Sequence, residues 1–424
     1  VVQSRSQALD VPGRVDLRSV RRRGLASAFA GVYEGMAFVN RRPITPPGSL
    51  SSMSHRPDPH RGHALILNYT ATSYHWGCYG TSVSIYESLT RAGYAVMSLP
   101  VEITHAITTT PASAEDLERA AFQESFESAN TLACQMMRDV DLVVINGEGT
   151  LHRDHAGSRN LLAMAYIAAA RYGRPVHMVN HSCFPNGDNA EATPEVEALY
   201  RTALGACTRR VAREPLTKRH CERWGLEAAQ GFDCLPDWLE RHAPDLRHAP
   251  SRANVLIAGG VGWYEQVSEF FAEGLKLLPA DWDIRFLGGG PPPEPGRGQR
   301  TQNRRLPPGP PPGTPSPQCA NDWLAEIASA SLLITGRFHH AVAAAALGTP
   351  FISIASNTPK PNGVTELLDM PEPLDPFAPT LTEDLRLRLD TALAGGAPAT
   401  TPAQQRLVRE LAQANFGWEQ TQEA

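Results

Sequence analysis

The run Leu332-Leu333-Ile334-Thr335-Gly336-Arg337-Phe338-His339-His340-Ala341 passes from an apolar strand through a short polar turn into an Ala-rich helix. Glycine allows the chain to turn tightly, and the first N–H groups of the helix that follows point at whatever binds there. Arg337 at that helix end opposes the dipole unless an anion is also present. The plainer reading is an arginine that reaches solvent or a neighbouring carboxylate. His339 and His340 add proton donors, and beside Arg337 one of them is a candidate acid. The chemistry expected of such a turn is the binding and transfer of an anionic group.

A turn of this kind needs strands and helices that hold it. Short apolar runs at 64–68, 95–97, 141–146, 176–180, 254–258, 284–287, 332–335 and 351–355 read as buried strands. Helical stretches at 81–92, 161–172, 265–278, 322–330, 340–347 and 402–416 separate them. Strands alternating with helices mean parallel sheets covered on both faces. The pattern predicts an α/β protein of two doubly wound, Rossmann-like domains facing a cleft, a GT-B-like arrangement. Residues 1–60 read as a tail or extension, 61–250 as an acceptor-side domain and 251–424 as a donor-binding domain. The Pro/Gly/Arg-dense stretch 288–317 reads as an inserted loop, and the last helix as a segment that crosses back.

Ligands of open parallel sheets bind at the carboxyl ends of the strands. That rule selects the loops at 68–81, 146–154, 180–187, 212–215, 259–264, 335–340 and 356–363, rich in Asn, His, Arg and Gly. With 424 residues, 42% hydrophobic, the chain can build two cores. A formal net charge of −5 gives no global pull towards nucleic acid or anionic lipid. Seven cysteines (78, 134, 183, 207, 221, 234 and 319) lack CxxC spacing, so a reducing cytoplasm is expected. They read as small core residues, with Cys183 the one exposed candidate. No signal peptide or membrane-spanning run is evident, which leaves peripheral docking at the inner face of a membrane open.

The segment Ile334-Thr335-Gly336-Arg337-Phe338-His339, followed by Ala343-Ala344-Ala345-Ala346-Leu347-Gly348-Thr349-Pro350-Phe351, resembles the C-terminal signature of polysaccharide pyruvyl transferases. There an Arg-aliphatic-His triplet opens an Ala-rich helix, a Gly-x-Pro leads into a strand, and a lysine follows; Lys360 fits that lysine. Val211-Ala212-Arg213-Glu214 resembles the family's Val-Arg-Asp/Glu turn, and Asn146-Gly147-Glu148-Gly149-Thr150 its glycine-rich loop. Phe338 departs from the usual leucine, and Cys78-Tyr79 stands where Gly-Asp is common. The likeness runs over about residues 64–370, the insert excepted.

The resemblance implies transfer of the enolpyruvyl unit of phosphoenolpyruvate onto saccharide hydroxyls as a ketal, with release of phosphate. The acceptor would be free or lipid-linked, and no cofactor or metal is called for. Arg213, Arg337, Phe338, His339, His340 and Lys360 would hold the donor, with Arg337 supplying charge and His339 the proton. Glu148, His152, Asn180, His181 and Trp263 would line the acceptor side. A GT-B glycosyltransferase with a nucleotide-sugar donor is the alternative, for which Glu366 is the one acid placed to hold a ribose. A sugar-binding protein without turnover is a third reading.

Overall fold

The computed structural model describes residues 61–71, 75–250, 253–258, 276–290, 317–396 and 398–418. The extension 1–60, residues 265–275 of the helix expected at 265–278, Trp263 and nearly all of the insert lie outside them, and residues 276–278 form a turn.

Two parallel sheets organise these residues. The first contains β1 (His63–Tyr69), β2 (Ala95–Pro100), β3 (Leu142–His152), β4 (Val176–Phe184), β5 (Arg209–Ala212) and β6 (Ala229–Gln230), in the order β2-β1-β3-β4-β5-β6. The second contains β7 (Asn254–Ala258), β8 (Asp283–Phe286), β9 (Leu332–Thr335) and β10 (Phe351–Ser353), in the order β10-β9-β7-β8. All neighbouring strands are parallel. The strand centres read as unbroken apolar runs because helices cover both faces: Ala64, Leu65, Ile66 and Leu67 are all fully buried. Chain direction across each sheet reverses beside β1 and β7. The switch points therefore lie between β1 and β3, and between β7 and β9, where the carboxyl ends open a crevice.

The helices that bear on the site are α1 (Trp76–Arg91), α2 (Ala156–Tyr166), α3 (Pro215–Arg223), α4 (Leu235–His242), α5 (Ala320–Ala328), α6 (Phe338–Leu347), α7 (Lys360–Leu367) and α8 (Pro402–Gln413). Several begin earlier than periodicity suggests. Helix α1 starts at Trp76 rather than 81, because Gly77, Cys78, Gly80 and Thr81 are its packing face and not a loop. A Cβ on Gly80 would meet Leu235 at 2.6 Å, and one on Gly77 would fall inside contact distance of His339. Small residues there let α1 lie close on α4 and α6. Helix α6 likewise starts at Phe338, which leaves only Gly336 and Arg337 in the turn.

Composition places a boundary near residue 250, but apolar packing crosses earlier. Phe232, Leu235, Trp238 and Leu239 share a core with Leu256, Trp323, Val342 and Phe351 of the second sheet. The chain then returns. Val408 of α8 packs in that second core, while Trp418 lies with Ile66, Val144 and Val179 of the first. Among the described residues, no helix is long and apolar enough to cross a membrane.

Candidate active site

Three adjacent strands bend at their carboxyl ends. Asn68 on β1, Glu148 on β3 and Asn180 on β4 have φ of 59°, 39° and 50°, a region few non-glycine residues enter. Side chains stabilise the bends. Asn68 Nδ2 donates to the Asn146 carbonyl at 2.7 Å, and Asn180 Nδ2 donates to Asn146 Oδ1 at 2.9 Å. Asn146 Nδ2 in turn donates to Glu148 Oε1 and to Ser82 Oγ, both at 3.1 Å. The supposed turn at 147–150 is thus a bulged continuation of β3, irregular between Glu148 and Leu151. Strain of this kind, held by a hydrogen-bonded network, marks a site that the fold over-determines.

The Glu148 carboxylate faces the switch point between β1 and β3. Its Oε1 accepts a short hydrogen bond from Thr70 Oγ1, and its Oε2 accepts from the Cys78 thiol at 3.0 Å. It is bound by side chains from β1, α1 and β3, rather than by the backbone N–H groups of a glycine turn.

The centre of the site is a buried carboxylate that the sequence reading passed over. Asp233 has no exposure, and four groups converge on it. Arg213 Nη1 lies at 3.0 Å and His339 Nε2 at 3.3 Å from Oδ2. Thr81 Oγ1 and the Leu235 N–H donate to Oδ1 at 2.8 and 2.9 Å. Burial by itself would raise this carboxyl, yet His339, Arg213 and the Leu235 N–H hold it well below the usual carboxylate range. The one textual signal was a lone acid in the apolar run Gly231-Phe232-Asp233-Cys234-Leu235-Pro236, just before a Pro-initiated helix. Arg213 is also fixed by Ser182 Oγ at 2.7 Å from Nε, and its guanidinium stacks 4.2 Å above the Phe338 ring. Phe338 therefore serves as a platform for Arg213.

Two further cations have no such partner. Arg337 is the residue preceding α6; its N–H donates to Thr335 Oγ1 at 3.0 Å, and burial lowers its guanidinium from the ordinary value. Lys360 opens α7, and its Nζ lies 2.6 Å from where a Cβ on Gly149 would stand, with Arg213 Nη2 3.6 Å from the same point. Burial first, then the nearby Arg213 charge, depress the Lys360 amine to about 8, although Glu148, Glu214 and Cys78 oppose this. Among the described residues no carboxylate forms an ion pair with Arg337 or Lys360. Arg213 and Lys360 thus meet beside the bulge at Glu148, and Arg337 precedes the helix that carries His339. Such an arrangement is suited to an anion bearing more than one charge.

The other candidate residues fall into two groups. His152 stays near the site: its Nδ1 meets the Gly149 carbonyl, and burial followed by the Lys360 charge lowers it to about 4. His340 is withdrawn from donor binding. It is 1% exposed, its Nε2 accepts from Trp323 Nε1 at 3.1 Å, and burial followed by the Arg337 charge holds it neutral. Of the neighbouring pair, His339 alone meets the cleft carboxylate. His181 and Asn180 are also corrected. His181 is fully buried, with Nδ1 donating to the Val211 carbonyl at 2.8 Å and Nε2 facing the Cys221 sulfur. Asn180 is fully buried and bonded to Asn146 and Asn415, so it shapes β4. Trp263 lies outside the described residues. Cys183 is fully buried, whereas Cys319 is the exposed cysteine. Glu366, the acid a nucleotide donor would want, is held by Arg219 at 2.5 and 2.7 Å.

No carbonyl, carboxylate or imidazole spacing suggested a metal, but folding gathers His75, Cys78 and His339 until a ligand atom of each lies within 4.8 Å of the others.

Comparison with known proteins agrees with this architecture. A Listeria monocytogenes protein assigned as a UDP-N-acetylglucosamine 2-epimerase superposes with a TM-score of 0.50 at 11% identity, over 85% of this chain and 98% of its own. A Methanocaldococcus jannaschii UDP-GlcNAc 2-epimerase, solved with UDP-GlcNAc and UDP, gives 0.45 at 13% identity, covering 82% and 98%. A Rickettsia africae glycosyltransferase gives 0.45 at 12%, covering 84% and 95%. No curated protein gives a match. The polysaccharide pyruvyl transferase family model matches residues 315–358, which span α5, β9, Arg337, α6 and β10. The chain thus has a GT-B-like α/β fold and carries the polysaccharide pyruvyl transferase signature across its Arg337–His339 turn.

Proposed function

We propose that the protein transfers the enolpyruvyl unit of phosphoenolpyruvate to two hydroxyls of a saccharide, giving a pyruvate ketal and inorganic phosphate. The observation that carries this reading is that Arg213 and Lys360 meet at Gly149 while Arg337 stands two residues before His339, and that among the described residues only Arg213 of the three has an ion-paired carboxylate. Phosphoenolpyruvate brings a phosphate and a carboxylate, enough anionic oxygens to engage the two unpaired cations. In this reading Arg337 and Lys360 hold those groups while His339, oriented by Asp233, delivers a proton to the methylene carbon. The carbon that bore phosphate becomes oxocarbenium-like, and a saccharide hydroxyl adds to it. Phosphate departs with its bridging oxygen, and the second hydroxyl closes the ketal. Two hydroxyl protons are released; one replaces the proton His339 donated and the other leaves with phosphate. Glu148, beside Lys360, is the carboxylate we assign to the acceptor hydroxyl.

Calorimetric titration of the purified protein with phosphoenolpyruvate and, separately, with UDP tests the donor. We expect binding of phosphoenolpyruvate that weakens at least tenfold in Arg337→Ala, one lost charge-assisted contact being about 1.5–3 kcal/mol. Phosphate release from phosphoenolpyruvate in the presence of a saccharide panel is the corresponding turnover assay. Binding of UDP with none of phosphoenolpyruvate would overturn the proposal in favour of a nucleotide-sugar donor.

A further inference from the structure

The trio His75, Cys78 and His339 is not used as a unit in the chemistry above. His75 precedes α1 and Cys78 lies in its first turn, three residues on, so both side chains leave the same end of the helix. His339 comes from the first turn of α6, brought close because Gly77 offers no side chain to separate the two helices. His75 Nε2 stands 3.6 Å from Cys78 Sγ. Two ligands of a tetrahedral ion, with bonds of about 2.0 and 2.3 Å, are separated by about 3.5 Å. The His75 nitrogen and Cys78 sulfur already have nearly that spacing, and a ligand atom of His339 lies within 4.8 Å of both.

Independent features point the same way. His75 Nδ1 is buried without a hydrogen-bond partner among the described residues. Glu148 Oε2, 3.0 Å from the Cys78 sulfur, accepts the thiol's hydrogen bond and stands beside the trio rather than among its ligands. Asp233 faces His339 Nε2 at 3.3 Å, the kind of outer carboxylate that orients ligating histidines.

We infer that His75, Cys78 and His339 form a binding site for one thiophilic divalent cation of the zinc type, with the fourth position left to solvent or substrate. Binding converts the Cys78 thiol to a thiolate, and the proton passes to solvent by way of Glu148, which already accepts it in a hydrogen bond. Two imidazole nitrogens and a thiolate as donors favour zinc over calcium or magnesium, which take oxygen ligands. The inference stands on side-chain geometry and does not require phosphoenolpyruvate to be the donor. Its link to the proposed transfer is His339, whose ring a bound ion would occupy.

The test is a cobalt titration of the metal-stripped, full-length protein, because cobalt reports both geometry and sulfur ligation in its absorption. One equivalent is expected to produce the visible bands of a tetrahedral ion together with a thiolate-to-metal charge-transfer band, all discharged by zinc. Cys78→Ser is expected to lose the charge-transfer band, and His75→Ala to lower cobalt affinity at least tenfold. Cys319→Ser, which alters the exposed cysteine, is expected to retain the full spectrum. Circular dichroism confirms that each variant is folded. A folded wild-type protein without tetrahedral bands at saturating cobalt overturns the inference, as does a charge-transfer band that survives Cys78→Ser. Phosphate release is read separately, so failure of the transfer reaction leaves the cobalt result intact.

Discussion

The Lys360 amine provides the sharpest quantitative test of the anion site. Its environment holds it at about 8 against an ordinary value of 10.5, so it changes charge in a range where the groups around it do not. The Cys78 thiol is pushed well above 9 by burial and then by Glu148, while burial takes His75 well below 6.5 and His152 to about 4. A phosphate monoester is already a dianion above pH 7. An amine of that pKa is about nine-tenths protonated at pH 7 and about one-tenth at pH 9. If the ammonium form binds the donor, affinity for phosphoenolpyruvate should fall about tenfold over that interval, about 1.4 kcal/mol. The free protein should respond with the opposite sign. Between pH 8 and 10.5 the unfolded chain binds more protons at Lys360 than the folded one, so this residue's contribution to stability rises with pH. Calorimetric titrations at pH 7, 8 and 9, paired with thermal midpoints, measure both trends in wild type and Lys360→Met. The variant should bind roughly 10- to 150-fold more weakly at pH 7, the equivalent of about 1.5–3 kcal/mol, and show little further loss at pH 9. A wild-type affinity that is flat to pH 9, or a slope that persists in Lys360→Met, would refute the reasoning.

Other outcomes follow from the same contacts. Asp233→Asn leaves the buried Arg213 guanidinium without its anion, and should lower urea stability at pH 7 by about 3–5 kcal/mol. Because the Asp233 carboxyl sits below its unfolded value, its contribution is present above the usual carboxylate range and fades as pH falls through the folded value; the variant should lack that acid limb. Gly77→Ala drives a methyl into His339 and should destabilise by about 1–3 kcal/mol while also lowering phosphate release. Gly205→Ala, which meets Leu226 at an ordinary 3.6 Å, should be near neutral in the same urea assay. Asn415→Ala removes the acceptor of the Asn180 N–H and a donor to the Phe232 carbonyl, and should cost about 1–3 kcal/mol, read from the thermal midpoint.

What could be read from the sequence, and what could not, has a physical division. The strand at 332–335 coincides with its apolar run because a buried parallel strand and its hydrophobic run end together. Strand ends were legible for the same reason, which located Arg213 and Arg337 just past β5 and β9; Lys360, at the start of α7, was located through the family resemblance. Polar residues at these ends were harder to sort. Asn180 and His181 satisfy the generic rule for ligands, yet one bends β4 and the other fills its core. Only neighbouring strands reveal this, since Asn146 and Asn415 come from elsewhere in the chain. The start of α1 was missed because glycine and threonine at its packing face read as loop residues. Asp233 was missed because its importance lies in four partners at separations no local pattern contains.

Those partners explain how a chain with net charge −5 keeps a cationic centre. A single buried carboxylate is shared between Arg213 and His339 and is satisfied by both, so it has little left to offer the cations nearby. Among the described residues neither Arg337 nor Lys360 forms an ion pair; burial lowers both from their ordinary values, and at Lys360 the charges of Glu148 and Glu214 offset only part of that lowering. A site so arranged is destabilised while empty and relieved by an anion. A carboxylate added to Asp233 and Glu148 would stabilise the empty protein and spoil the pocket. A substitution such as Gly149→Asp, whose Cβ would stand 2.6 Å from Lys360 Nζ and push that flexible amine aside, should bring a further carboxylate beside the amine and raise its pKa. Phosphoenolpyruvate binding should weaken even where folding survives. Donor titration of that variant beside its thermal midpoint checks the argument: tight binding retained with the new carboxylate in place would show that the unpaired charge is not what the ligand meets.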